Sequence, residues 1–178
     1  MRRVRAPLLI LAILLSVAAA QEETRPGIAT EPLFQNLVGT WEGEGWTMLG
    51  PDRRVEFDQV ETVETKADGH VVVVEGVGKN RETGEPAFQA FGIFSYDLVN
   101  DKYQFTAYQT TGYSVTVEPE ISGERFVWGF DTGQGLVRYT ANITASTWSQ
   151  IGEFSPDGGE NWFQNFAMDL TKVEREVE

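Results

Sequence analysis

The sequence predicts an all-β protein: a single antiparallel meander barrel of about ten strands, preceded by one short N-terminal helix. Three observations lead there. From Thr40 onward, short runs alternate polar with apolar residues and are rich in β-branched and aromatic side chains, as in Val71-Val72-Val73-Val74, Tyr103-Gln104-Phe105-Thr106-Ala107-Tyr108 and Phe126-Val127-Trp128-Gly129-Phe130. Turn residues recur at short intervals. The links between runs are far shorter than the dozen residues a parallel crossover needs, so sequential strands must pair antiparallel. A meander of that size either closes or leaves two exposed edges, and closure removes the edges. A two-sheet sandwich is the alternative.

The elements follow in order. Met1-Arg2-Arg3-Val4-Arg5 is basic, Leu8 to Val17 is almost wholly apolar, and Ala18-Ala19-Ala20 is small. This is the pattern of a signal peptide over residues 1–20, cut after Ala20, with an uncleaved anchor as the alternative. The chain is therefore expected to be exported, to a periplasmic or extracellular location. Glu22, Glu23, Pro26 and Gly27 make 21–29 a flexible leader. The barrel domain spans 30–173. Thr30 is placed to cap its helix, Pro32 fits the first turn, and Leu33, Phe34 and Leu37 share one apolar face. Hairpin turns are marked by Gly50-Pro51-Asp52, Asp68-Gly69, Thr83-Gly84-Glu85-Pro86, Asn100-Asp101, Ser122-Gly123, Thr132-Gly133-Gln134-Gly135 and Asp157-Gly158-Gly159. Residues 174–178 form a charged tail.

Charge and cysteine content narrow the partners. The chain has 14 basic and 27 acidic residues, a net charge of −13. Loss of Arg2, Arg3 and Arg5 with residues 1–20 leaves 11 basic residues and a charge of −16. Such a surface repels nucleic acid and anionic membranes. With no cysteine there are no disulfides and no lipid-attachment site, so the protein is not expected to be a lipoprotein.

Leu37-Val38-Gly39-Thr40-Trp41, set between a short helix and a long meander, resembles the calycin group: lipocalins, fatty-acid-binding proteins and nitrobindin-like barrels. Within that group the chain looks most like a family of exported bacterial barrels of unknown function. The shared pieces are Gly39-Thr40-Trp41-Glu42-Gly43-Glu44-Gly45, Phe94-Ser95-Tyr96-Asp97 and the stretch from Trp148 to Gly159. The resemblance implies a container closed at one end by Trp41, and it brings no catalytic residue. Nitrobindin-like barrels hold haem through a histidine in the C-terminal half, whereas the single histidine here is His70, at a hairpin turn. Haem is disfavoured, and no cofactor is expected.

The candidate site is a face rather than a motif. With large residues inward, Trp128 and Phe130 share the interior with Tyr103, Phe105 and Ala107. Trp148, Gln150 and Gly152 join them, as do Trp162, Gln164, Phe166, Met168 and Leu170. The register around Arg138 is open: either Leu136, Arg138 and Thr140 point inward, or Val137, Tyr139 and Ala141 do. An inward Arg138 needs an anion, from a ligand carboxylate or from Glu61, and the cost of unpaired burial favours the outward register. The candidate ligand-binding set is therefore Trp128, Arg138, Trp148, Gln150 and Glu61.

Other motifs have structural readings. Ser155-Pro156-Asp157-Gly158-Gly159-Glu160-Asn161-Trp162 matches one Asp-box, which is a self-bonded hairpin rather than a sialidase signature. Most acids (Glu56, Asp58, Glu61, Glu64, Glu118, Glu120, Glu153) alternate with apolar neighbours, as on a solvated strand face. Asp97, Asn100 and Asp101 come nearest to a calcium loop but lack its glycine and distal glutamate. One histidine without cysteine serves zinc poorly. With no nucleophile elbow, the expected function is non-enzymatic: a small apolar or amphipathic ligand held inside the barrel. The alternatives are a filled barrel serving as an envelope structural or interaction domain, or an enzyme pairing Glu61 with Tyr108 or Tyr139.

Overall fold

The computed structural model describes Ile28 and residues 31–174. The signal peptide, the rest of the leader, the cap Thr30 and the tail beyond Glu174 lie outside the described residues. Helix α1 (Pro32–Leu37) is entered through Glu31, which makes no side-chain cap bond. Its buried face is Leu33, Phe34 and Leu37, as the spacing predicts. Ile28, grouped by composition with the leader, is fully buried beside that face.

Eleven strands follow: β1 (Gly39–Met48), β2 (Arg54–Lys66), β3 (Val71–Asn80), β4 (Pro86–Asp97), β5 (Lys102–Gln109), β6 (Ser114–Val117), β7 (Glu120–Ser122), β8 (Arg125–Asp131), β9 (Leu136–Ile143), β10 (Thr147–Ser155) and β11 (Phe163–Val173). They form one antiparallel sheet in the order β6-β5-β4-β3-β2-β1-β11-β10-β9-β8-β7. The first and last strands therefore pair, Thr40 opposite Val173 through Thr47 opposite Phe166. The sheet curls until β6 lies against β8, but β6 and β7 share no ladder. Aromatic rings close that side instead: Phe105 packs on Phe126 at 5.4 Å and on Trp128 at 4.9 Å between ring centres.

Each sequence-marked turn lies between consecutive strands. The turn from β2 to β3 places Ala67, Asp68 and Gly69 all at positive φ, a conformation that Asp and Gly tolerate best. The count exceeds ten because the stretch from Ser114 to Ser122 is divided at Glu118-Pro119, where the proline has no N–H to give a ladder.

Alternation sets the interior. On β2 the buried residues are Val55, Phe57, Gln59, Glu61 and Val63, and on β1 Trp41 and Gly45 face the same way. A side chain at Gly43 would collide with the backbone carbonyl of Asp169 on β11, so the glycine lets those two strands cross closely. One end is closed by α1 and Trp41. The Trp41 indole donates to the Leu37 carbonyl at 2.8 Å, meets Trp148 edge to face at 5.8 Å, and lies under the Lys172 ammonium at 4.7 Å. Lys172 is tied to the carbonyls of Asn36 and Val38, and burial lowers its pKa. Phe34, Phe94, Phe105 and Phe126 continue the core from the helix across the barrel.

Candidate functional site

The barrel encloses a cavity of about 340 Å³ above the closed end. Its walls include Glu61, Trp128, Tyr139, Trp148, Gln150 and Phe166. It reaches toward the β1–β2 and β5–β6 turns, where Thr47, Leu49 and Gln109 border it. Several inward-facing aromatics, Phe88, Trp128 and Phe166 among them, are only partly buried. Side chains that face inward and still touch solvent mark a chamber that its own residues do not fill.

Four of the five predicted site residues, Trp128, Trp148, Gln150 and Glu61, come together on this cavity. Trp128 lies flat on Tyr139 at 4.5 Å and beside Phe130 at 5.9 Å, which holds its ring against the wall. Burial raises the pKa of the Tyr139 phenol. Trp148 is 6% exposed, and among the described residues its indole N–H has no hydrogen-bond partner.

Arg138 takes the outward register. Its Nε and Nη2 donate to Glu153 at 3.0 and 2.7 Å, and its guanidinium lies 4.2 Å over the Trp162 ring. The expected inward Trp162 and Gln164 are corrected with it. A β-bulge opposite Gly152/Glu153 leaves Asn165 without a ladder partner. Gln164 then pairs with the outward Glu153, and Trp162 packs on the outer Arg138. Phe166, Met168 and Leu170 keep the predicted inward parity.

Glu61 is the inward acid. It sits mid-strand on β2, opposite Trp41 on β1 and Gly76 on β3. It is 7% exposed, and its Oε1 accepts one hydrogen bond, from Gln59 Nε2 at 2.7 Å. Burial pushes its pKa from an ordinary 4.5 up to about 7, against the smaller lowering effect of that bond. A Cβ at Gly76 would stand 2.5 Å from Oε1, so the missing side chain on β3 is what admits the carboxyl. Gln59 itself is 1% exposed, and among the described residues its own Oε1 has no partner. The inward placement of Gln59 was readable: both share the parity of Val55, Phe57 and Val63, although acids on such strands are expected outside.

The remaining motifs serve turns. Asp157 accepts from the Ser155 hydroxyl at 2.8 Å, the Asn161 amide N–H at 2.9 Å and the Asn161 side chain at 2.6 Å. These donors, the Asn161 backbone first, draw its pKa down to about 2. Asp97 accepts from Asn100 and Val99 across the β4–β5 turn, where Asn100 chiefly lowers its pKa. His70 is exposed in the β2–β3 turn. Tyr108 is outward and 43% exposed, on the opposite side of the sheet from Glu61, whereas Tyr139 faces inward.

A one-layer antiparallel meander curled round an internal chamber, with a helix at its closed end, is the architecture of a lipocalin-like barrel. No protein-family model matches the chain, and no curated protein matches it in sequence. Among solved structures it is similar to Rv2717c from M. tuberculosis, with a TM-score of 0.59 and 13% identity over 80% of this chain and 98% of that one. It is similar also to the S-type phycobiliprotein lyase CPES from Guillardia theta, with a TM-score of 0.54 and 9% identity over 85% of this chain and 96% of that one. At those identities the likeness is one of fold, and both neighbours agree with a calycin-like barrel.

Proposed function

We propose that this protein is an exported, non-enzymatic carrier or sensor that holds a small, largely apolar molecule inside the barrel. The observation that carries the reading is the 340 Å³ chamber with partly solvent-exposed aromatic walls. Ligand pockets start at about 300 Å³ and combine apolar lining with a few polar groups, here Glu61, Gln150 and the Trp148 N–H. A side-chain-filled structural barrel leaves no such space. The raised pKa of Glu61 favours a second reading, acid–base chemistry on a bound substrate. Tyr139 lines the same cavity, but the hydrogen bond Glu61 accepts among the described residues comes from Gln59, so no acid–phenol pair is formed.

The test is a titration with the neutral fluorescent probe N-phenyl-1-naphthylamine. Saturable one-to-one enhancement is expected, weakened by Trp128→Ala and lost in Ala107→Trp, which places an indole in the chamber. Absence of saturable binding in the wild type overturns the proposal. For export, expression with residues 1–20 in a bacterial host should yield an envelope protein beginning at Gln21, read by mass spectrometry. Retention of the full chain in the cytoplasm overturns that part.

A further inference from the structure

The polar groups of the chamber differ in sign from those of a fatty-acid carrier. Among the described residues, Arg138, which only an inward register would bring to a ligand carboxylate, is paired with Glu153 on the outer face. Lys172 is held by two carbonyls at the closed end. Arg54, Lys66, Arg81 and Lys102 form exposed ion pairs. Within the chamber stands a carboxyl that uses one hydrogen bond, although a carboxylate offers about four lone-pair sites. Among the described residues its Oε2 accepts no hydrogen bond. Beside it, Trp41 is flanked by Trp148, whose buried N–H is likewise unused.

Resting on the carrier reading above, we infer that the ligand is an amphipathic amine, its cationic head seated on Glu61 at the floor of the chamber and its apolar tail directed along Trp128 and Phe166 toward the mouth. An ammonium supplies the counter-charge that the barrel itself does not bring to Glu61, and a charge-assisted hydrogen bond is about twice as strong as a neutral one. A carboxylate head placed there faces a like charge, so fatty acids are excluded by the same group.

The experiment displaces N-phenyl-1-naphthylamine at pH 8 with decylamine, decan-1-ol or decanoate, each below its micellar concentration. Decylamine is expected to bind about tenfold more tightly than decan-1-ol, and decanoate more weakly than both. Glu61→Gln should bring decylamine within about threefold of decan-1-ol. Should that variant not fold, the wild type decides: its affinity for decylamine, and not for decan-1-ol, rises from pH 6 to pH 8 as Glu61 ionises. The groups facing Glu61 from β1 and β3 are Trp41 and Gly76, which do not titrate; the inward phenols of Tyr103 and Tyr139 are raised above their ordinary 10, clear of that range, and Lys172 lies at the closed end on the carbonyls of Asn36 and Val38. Decanoate binding as tightly as decylamine, an unchanged preference in Glu61→Gln, or a pH-independent affinity overturns the inference while the carrier reading stands. If the fluorescent probe itself does not bind, the carrier reading fails instead.

Discussion

Two carboxyl groups, Glu61 in the barrel wall and Asp157 in the β10–β11 turn, have been driven in opposite directions by their surroundings. Asp157 stays in water and collects donors from Ser155 and Asn161, so its charged form is favoured and its pKa falls to about 2. Glu61, set between Trp41 on β1 and Gly76 on β3, loses its water to burial and gains a single donor, so its neutral form is favoured and its pKa rises to about 7. The difference lies in how many hydrogen bonds replace the lost or retained hydration. The turn finishes its own hydrogen bonding, and the wall leaves some undone. A group completed by its neighbours holds the fold in shape; a group left incomplete has chemistry to offer a ligand.

The largest effect that can break this contrast is the dependence of stability on pH. An unfolded Glu61 ionises near 4.5, whereas the folded one keeps its proton up to about 7. Between those values the native state binds the extra proton, so this group's contribution to stability falls as pH rises, by about 3 kcal/mol in total. Urea denaturation of the wild type and Glu61→Gln at pH 4.5, 6 and 7.5 should show the variant gaining relative stability across that window; parallel curves would refute the burial argument. Asp157 acts with the opposite sign, stabilising above the ordinary aspartate range and losing that contribution as pH falls toward 2. Next in size, Asp157→Ala removes the acceptor of three hydrogen bonds and should lower the urea midpoint in the same assay. Probe binding should remain at the wild-type level, and a weakened probe would tie the turn to the chamber. Smallest, Arg138→Gln removes a partly exposed ion pair and should cost less than about 1 kcal/mol. Loss of binding in that variant would return Arg138 to the ligand.

Where the chain turns was readable from local chemistry, because residues such as Asp68-Gly69 and Thr132-Gly135 determine a turn within four or five positions. Which way a side chain points was readable only as far as alternation holds. It placed Trp128, Trp148 and Gln150 on the cavity, and it failed at Trp162 and Gln164, where the bulge at Asn165 resets the parity with no mark in composition. Glu61 has its parity in plain view, yet whether a mid-strand acid is buried depends on Gly76 of the next strand. That is a fact about two segments fifteen residues apart. Ile28 was hidden for a related reason: its burial comes from the closed end of the barrel, while its neighbours in sequence are polar.

The unlaced side of the barrel has a mechanical meaning. Around the rest of its circumference, widening the barrel means breaking a ladder of backbone hydrogen bonds. Between β6 and β7 it means only parting rings such as Phe105 and Phe126, with the chain itself spanning the gap through Glu118-Pro119. The girth of the chamber is therefore adjustable at one place, like a collar with a single fastening. The two free edges are four and three residues long, with one acid and a proline between them, which makes them poor templates for strands of another molecule.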